Sequence, residues 1–139
     1  DRNWNFPDPA ERRLKVRKLY EVVELAKSLD LPIIAGTEMN KYGQKRVDDF
    51  DSEALRPLCD VFMEGAYFIY GHTVLQRALG LGYQSDWARA SLPSRKERNV
   101  FYTAIGRAVE PGEDSLQRLR ALGPYLSPTD LLHRVQRDT

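Results

Sequence analysis

The sequence predicts a helix-rich α/β fold: helix, strand and loop of an incomplete α/β domain over residues 1–50, then a helical region over 51–139. Three observations predict it. Pro32-Ile33-Ile34-Ala35-Gly36 is a short, unbroken apolar run bounded by Pro and Gly, the pattern of a buried parallel strand. It follows an amphipathic helix after two residues, as in the second half of a βαβ unit. Beyond it the chain is punctuated by helix caps, and no other segment reads clearly as a strand.

In order along the chain, Trp4-Asn5-Phe6-Pro7 is irregular, and Asp8 is an N-cap with Pro9 at the first helical position and Glu11 completing a capping pattern. Leu19, Val22, Val23, Ala26 and Leu29 recur at helical spacing, so the spacing predicts a helix over 9–29 with these residues as its buried face. Asp30-Leu31-Pro32 ends it. The polar stretch 37–51 is a long loop of the kind that carries function. Asp51 is expected to cap a helix bearing Leu55, Leu58, Val61 and Phe62, with Pro57 splitting it or opening a second one; the apolar run Tyr67–Tyr70 then stops at Gly71. Thr73-Val74-Leu75-Gln76 reads as a capping box opening a short helix that Gly80 and Gly82 end. Ser85 caps a turn, Ser94 and Glu97 form a second box before Val100, Phe101, Ala104 and Ile105, and Pro111-Gly112 breaks that helix. Two more helices follow near 115–122 and 128–136, the last capped by Ser127.

Composition narrows the function classes. The 139 residues are 42% hydrophobic and 29% charged, enough for one core and against disorder. With 21 Lys+Arg and 20 Asp+Glu there is no global charge to draw nucleic acid or an anionic membrane. The longest apolar stretch, Val61 to Tyr70, is about half of the roughly 20 residues a bilayer needs. One cysteine, Cys59, excludes an internal disulfide and fits a reducing, cytoplasmic setting, with no secretory leader in view. A single buried strand cannot satisfy its own backbone groups. Its expected partner is therefore the remainder of a larger parent chain upstream of Asp1, with a second copy of this chain, a homo-oligomer, as the alternative.

The densest chemical cluster, Gly36-Thr37-Glu38-Met39-Asn40-Lys41, lies just past the strand's carboxyl end, where α/β folds place ligands. Here Glu38 suits a metal ligand or general base, Asn40 an orienting group, and Thr37 and Lys41 substrate contacts, lining a cleft open to solvent. The bland reading is that these side chains satisfy nearby backbone. His72, between Gly71 and Thr73, is the remaining catalytic candidate, against a histidine bonded locally. His133 reads as a surface residue and Cys59 as a core thiol. Asp48, Asp49 and Asp51 lack the calcium-loop pattern. The run Arg12-Arg13-Leu14-Lys15-Val16-Arg17-Lys18 suits phosphates or, more ordinarily, a solvated helix face.

The strings LYEVVELA (19–26), LPIIAGTEMNKYGQKRVDDFD (31–51) and EGAYFIYGHTVLQRALGLGYQSDWA (64–88) carry a resemblance. Over about Asp1 to Val109 the chain resembles the C-terminal portion of bacterial proteins grouped with the polymerase-and-histidinol-phosphatase (PHP) superfamily of metal-dependent phosphoesterases. That resemblance implies a barrel-like, TIM-like domain and a divalent metal ion in the full-length parent, held by His, Asp and Glu at strand ends. The family's His-x-His and Asp-x-His motifs are not in this chain, and only Glu38 stands where such a ligand sits. The expected function is thus a fragment of a metal-dependent hydrolase whose other metal motifs lie elsewhere. The alternative is a non-catalytic helical module for assembly or partner binding, presenting aromatics from among Trp4, Tyr67, Tyr70 and Trp87.

Overall fold

The computed structural model describes residues 4–36, 42–43 and 47–137. Six α-helices follow in order: α1 (Pro9–Ser28), α2 (Cys59–Leu79), α3 (Asp86–Ser91), α4 (Arg95–Ala108), α5 (Glu113–Leu122) and α6 (Pro128–Arg137), with a 3-10 turn at Arg56–Leu58 ahead of α2. The chain divides into two compact units, Asp1–Met63 and Glu64–Thr139, and the division falls within α2.

The expected α/β class, and with it the TIM-like barrel, is corrected here: among the described residues there is no strand. Pro32–Gly36 is irregular chain, with Ile33 half-buried, Ile34 53% exposed, and no backbone hydrogen bond between Ile33, Ile34, Ala35 or Gly36 and the other described residues. The physical reason is the one that made a lone strand suspect. Its N–H and C=O groups require a ladder, and no second segment among the described residues supplies one.

In the first unit, the Asp8 carboxylate accepts from the Ala10 and Glu11 N–H groups at 3.1 and 3.4 Å, starting α1 as its sequence requires. The helix stops in a Schellman arrangement. Asp30 takes a left-handed conformation (φ 50°), its N–H donates to Lys27, and Leu31 N–H donates to Ala26. Pro32 then forbids continuation. Val23, Leu55 and Leu58 are buried, the Tyr20 hydroxyl donates to the Ala54 carbonyl at 3.1 Å, and Phe50 meets Phe62 edge-on at 5.9 Å. The Cys59 thiol is partly buried and donates to the Phe50 carbonyl. Asp51 does not cap a helix: it lies in the turns that precede the 3-10 turn, where Pro57 sits at the start.

In the second unit, α2 runs straight through Gly71 and Thr73, so the capping box expected at Thr73 does not form. The Thr73 hydroxyl instead donates back to the Ile69 carbonyl at 2.7 Å, the usual resting place of a mid-helix threonine. The helix is held in one piece by its crossing with α4. A Cβ on Gly71 would strike the Tyr102 carbonyl and stand 2.8 Å from the Gly106 nitrogen. One on Gly106 would strike the Tyr67 carbonyl and stand 3.0 Å from the Gly71 nitrogen. The two backbones touch, and only glycine on both sides permits it. Arg107 pairs with Glu64 beside the crossing and lies over the Tyr67 ring.

Around that contact Leu75, Tyr102, Ile105 and Leu131 are wholly buried, with Phe101, Leu81, Ala88, Leu116 and Leu119 completing the core. Gly80 (φ 73°) ends α2, and Leu81 N–H donates back to Leu75. Ser85 caps α3, and Ser94 with Glu97 forms the full reciprocal box at α4. The bonds from Ser94 hold the Glu97 carboxyl below its ordinary range. Ser127 accepts from Asp130 N–H at 3.2 Å and starts α6, which packs on α4.

Candidate functional site

Thr37, Glu38, Asn40 and Lys41 lie outside the described residues, so the expected cleft at the strand end lies outside them too. The fifth candidate position, His72, is described in full. It is within one turn of the middle of α2 rather than at a helix start, half-buried, and its Nδ1 accepts the Tyr83 backbone N–H at 3.0 Å. Accepting at Nδ1 places the ring proton on Nε2 and commits the imidazole to holding the turn after α2 against the helix. The ring stands edge-on to Tyr102 at 6.2 Å, and Tyr102 in turn contacts Tyr83 and Phe101 at 5.6 and 5.2 Å. Tyr102 donates to the Leu81 carbonyl at 2.7 Å, and burial pushes its hydroxyl well above the ordinary tyrosine range, so it stays a donor.

Among the described residues His72 contacts the Tyr83 N–H and the Tyr102 ring. Its partners are those of a structural histidine. We therefore expect His72→Ala to destabilise the second unit by about 1–3 kcal/mol, the penalty of leaving the Tyr83 N–H unsatisfied, measured by urea denaturation. A loss below a few tenths of a kcal/mol would show that the bond carries no structural load.

Among the described residues no group of three or more His, Cys, Asp or Glu is gathered to hold a metal ion. Glu38, the one ligand position the resemblance implies in this chain, lies outside the described residues, and no step of chemistry is derived through a metal ion. Nor is any helix among them long and apolar enough to cross a membrane.

Two features of the first unit escape a sequence reading, and both lie on α1. The apolar positions taken as one buried face are in fact split. Val23 is buried and Leu19 and Ala26 are half-buried, whereas Val22, Leu25 and Leu29 are 61, 59 and 50% exposed. With 3.6 residues per turn these three form a stripe along the C-terminal half of the helix. Leu31 and Ile34 just beyond it are exposed as well. The signal available in the sequence was the width of the pattern: Val22, Val23, Leu25, Ala26 and Leu29 cover more of the helix circumference than one packing face uses.

The second feature is a cleft of about 640 Å³ along the N-terminal half of α1, walled by Trp4, Arg12, Arg13, Arg17, Tyr20 and the Ser52–Ala54 turn. Arg12 Nε donates to the Phe6 carbonyl at 2.8 Å, and Arg17 Nε stands 3.8 Å from Glu21, beyond hydrogen-bond range. Arg13 makes no hydrogen bond or ion pair among the described residues. The Trp4 indole Nε1 is shut from solvent without a partner, an arrangement costing about 1–3 kcal/mol. The basic run read as a solvated face therefore borders a concave, aromatic-walled space.

Comparison of the chain with family models, with curated proteins and with solved structures yields no match.

Proposed function

We propose that this chain is a partner-binding module whose first unit adds to the edge of another polypeptide's β-sheet. The observation that carries the reading is the exposed stripe Val22, Leu25 and Leu29 on α1, continued by Leu31 and Ile34. Apolar side chains standing singly on a surface need no explanation, but a contiguous row on one helix face does. The adjoining Ile33–Gly36 segment specifies the kind of partner. It carries β-branched side chains and backbone groups that make no hydrogen bond to the other described residues, which is what a segment offers when it adds to a sheet edge. A strand at the edge and a helix laid over the adjoining sheet face are the two contributions of half a βαβ unit. Here the helix is formed and the 33–36 segment is irregular chain. The phosphoesterase reading rests on the resemblance and on Glu38 alone, and no described side chain adds to it.

A photo-reactive residue at Leu25, activated in the cell of origin, tests the proposal. The expected cross-links fall on a strand of a folded α/β partner, and the Ile33–Gly36 amides, exchanging at coil rates in the chain alone, become protected in that complex. Val22→Asp with Leu25→Asp abolishes the cross-linked complex while leaving thermal stability within about 0.5 kcal/mol, since both positions are exposed. Cross-links only to helical segments, only to a second copy of this chain, or none above background would overturn the reading. So would amides at 33–36 that stay unprotected in the complex.

A further inference from the structure

We propose that the cleft on the N-terminal half of α1 binds a small phosphate ester with a planar body. Three guanidinium groups, Arg12, Arg13 and Arg17, border it, with Glu53 the one acidic side chain in its wall among the described residues. Even with Arg17 paired to Glu21 at 3.8 Å, the described charges at the cleft leave a positive excess, which suits a phosphate. Arginine's planar fork pairs two phosphate oxygens at once, and the forks of Arg12 and Arg13 keep most of their donors unused among the described residues. Among the described residues Arg12 uses only Nε, on the Phe6 carbonyl, Arg13 is unbonded, and Arg17 forms a loose ion pair with Glu21 at 3.8 Å.

The size of the space sets the rest of the ligand. At about 640 Å³ the cleft is in the range of small-molecule sites and far larger than a phosphate group needs. Its aromatic walls, Trp4 and Tyr20, suit a flat body stacked beside the phosphate. The unpartnered Trp4 N–H belongs to the same wall, and a turn of that side chain offers it to an acceptor on the ligand. An inorganic anion would leave most of this space and both rings unused.

The cleft and the apolar stripe occupy opposite faces of α1, because Arg13, Arg17 and Tyr20 lie roughly half a turn from Val22, Leu25 and Leu29. The two proposals therefore fail separately. Val22→Asp with Leu25→Asp leaves ligand binding intact, and Arg13→Ala leaves the cross-linked complex intact.

Calorimetric titration of the full chain with adenosine monophosphate, phenyl phosphate, adenosine and inorganic phosphate tests the site. The expected result is binding of at least one of the two esters at least tenfold tighter than of adenosine or inorganic phosphate, weakening as salt is raised. Arg13→Ala and Arg17→Ala each weaken it at least tenfold at unchanged thermal stability. Trp4→Ala brings the esters down to the level of inorganic phosphate. The inference is overturned if neither ester binds below millimolar concentration, or if adenosine matches its monophosphate. It is equally overturned if both arginine variants bind as the parent does, or if phosphate, sulfate and the esters compete equally, which would mean an adventitious ion only.

Discussion

Alanine at Gly71 or at Gly106 is expected to destabilise the second unit by about 3 kcal/mol, although the same change in an ordinary helix interior stabilises by roughly 0.5–1 kcal/mol. The sign reverses because of what the new methyl group meets. At Gly71 it strikes the Tyr102 carbonyl and crowds the Gly106 nitrogen, and at Gly106 it strikes the Tyr67 carbonyl. Each obstacle is backbone inside a hydrogen-bonded helix, so no side-chain rotation relieves it and the helices must move apart. Moving them opens the contacts around Leu75, Tyr102 and Ile105, all of which are fully buried. For a unit of this size such a loss lowers the melting temperature by roughly 10–20 °C. Differential scanning calorimetry of the two single variants reads this directly. The double variant should cost less than the sum of the two, because helices already separated by one methyl group have room for the second. Two stabilised single variants would show that α2 and α4 do not cross here at backbone contact.

Leu131→Ala is expected to cost about 3 kcal/mol, in the range found when a buried leucine is cut back and its cavity stays open. The residue is wholly buried, and with Val135 it forms the buried face of α6 against α4. Ten residues do not hold a helix in water by propensity alone, so α6 depends on that face. Amide exchange should accordingly speed up across 128–137 before it does in α4, and the global melting temperature should fall. His133→Ala, on the exposed side of the same helix, should change stability by no more than about 0.5 kcal/mol and serves as the control. Equal effects at the two positions would show that α6 is not anchored through Leu131.

The parts of the fold legible in the sequence are those whose physics is local. Asp8 with Pro9, Ser85, Ser94 with Glu97, and Ser127 each start a helix because the capping oxygen and the N–H it serves are two or three residues apart. The stop at Asp30 and Pro32 is equally local, and so is the break before α5 at Pro111-Gly112.

Thr73 shows where this reasoning ends. Its Thr-x-x-Gln pattern satisfies the rule for a helix start, yet α2 passes through it because Gly71 lets α4 approach. That approach involves residues more than thirty positions away. The role of His72 was hidden for the same reason: a histidine read as sitting at a helix start is in mid-helix, and its ring nitrogen serves Tyr83 eleven residues on.

That α1 forms, and roughly where it begins and ends, follows from residues within a few positions of each end. Which of its faces is covered follows from packing against distant parts of the chain. Burial of Val23, exposure of Val22, Leu25 and Leu29, and the concavity beside Arg13 and Arg17 all depend on where the 52–58 segment packs, and no residue's own chemistry encodes that. The strand expected at Pro32–Gly36 fails on the same ground, since a helix closes its hydrogen bonds within itself and a strand closes them only with a neighbour.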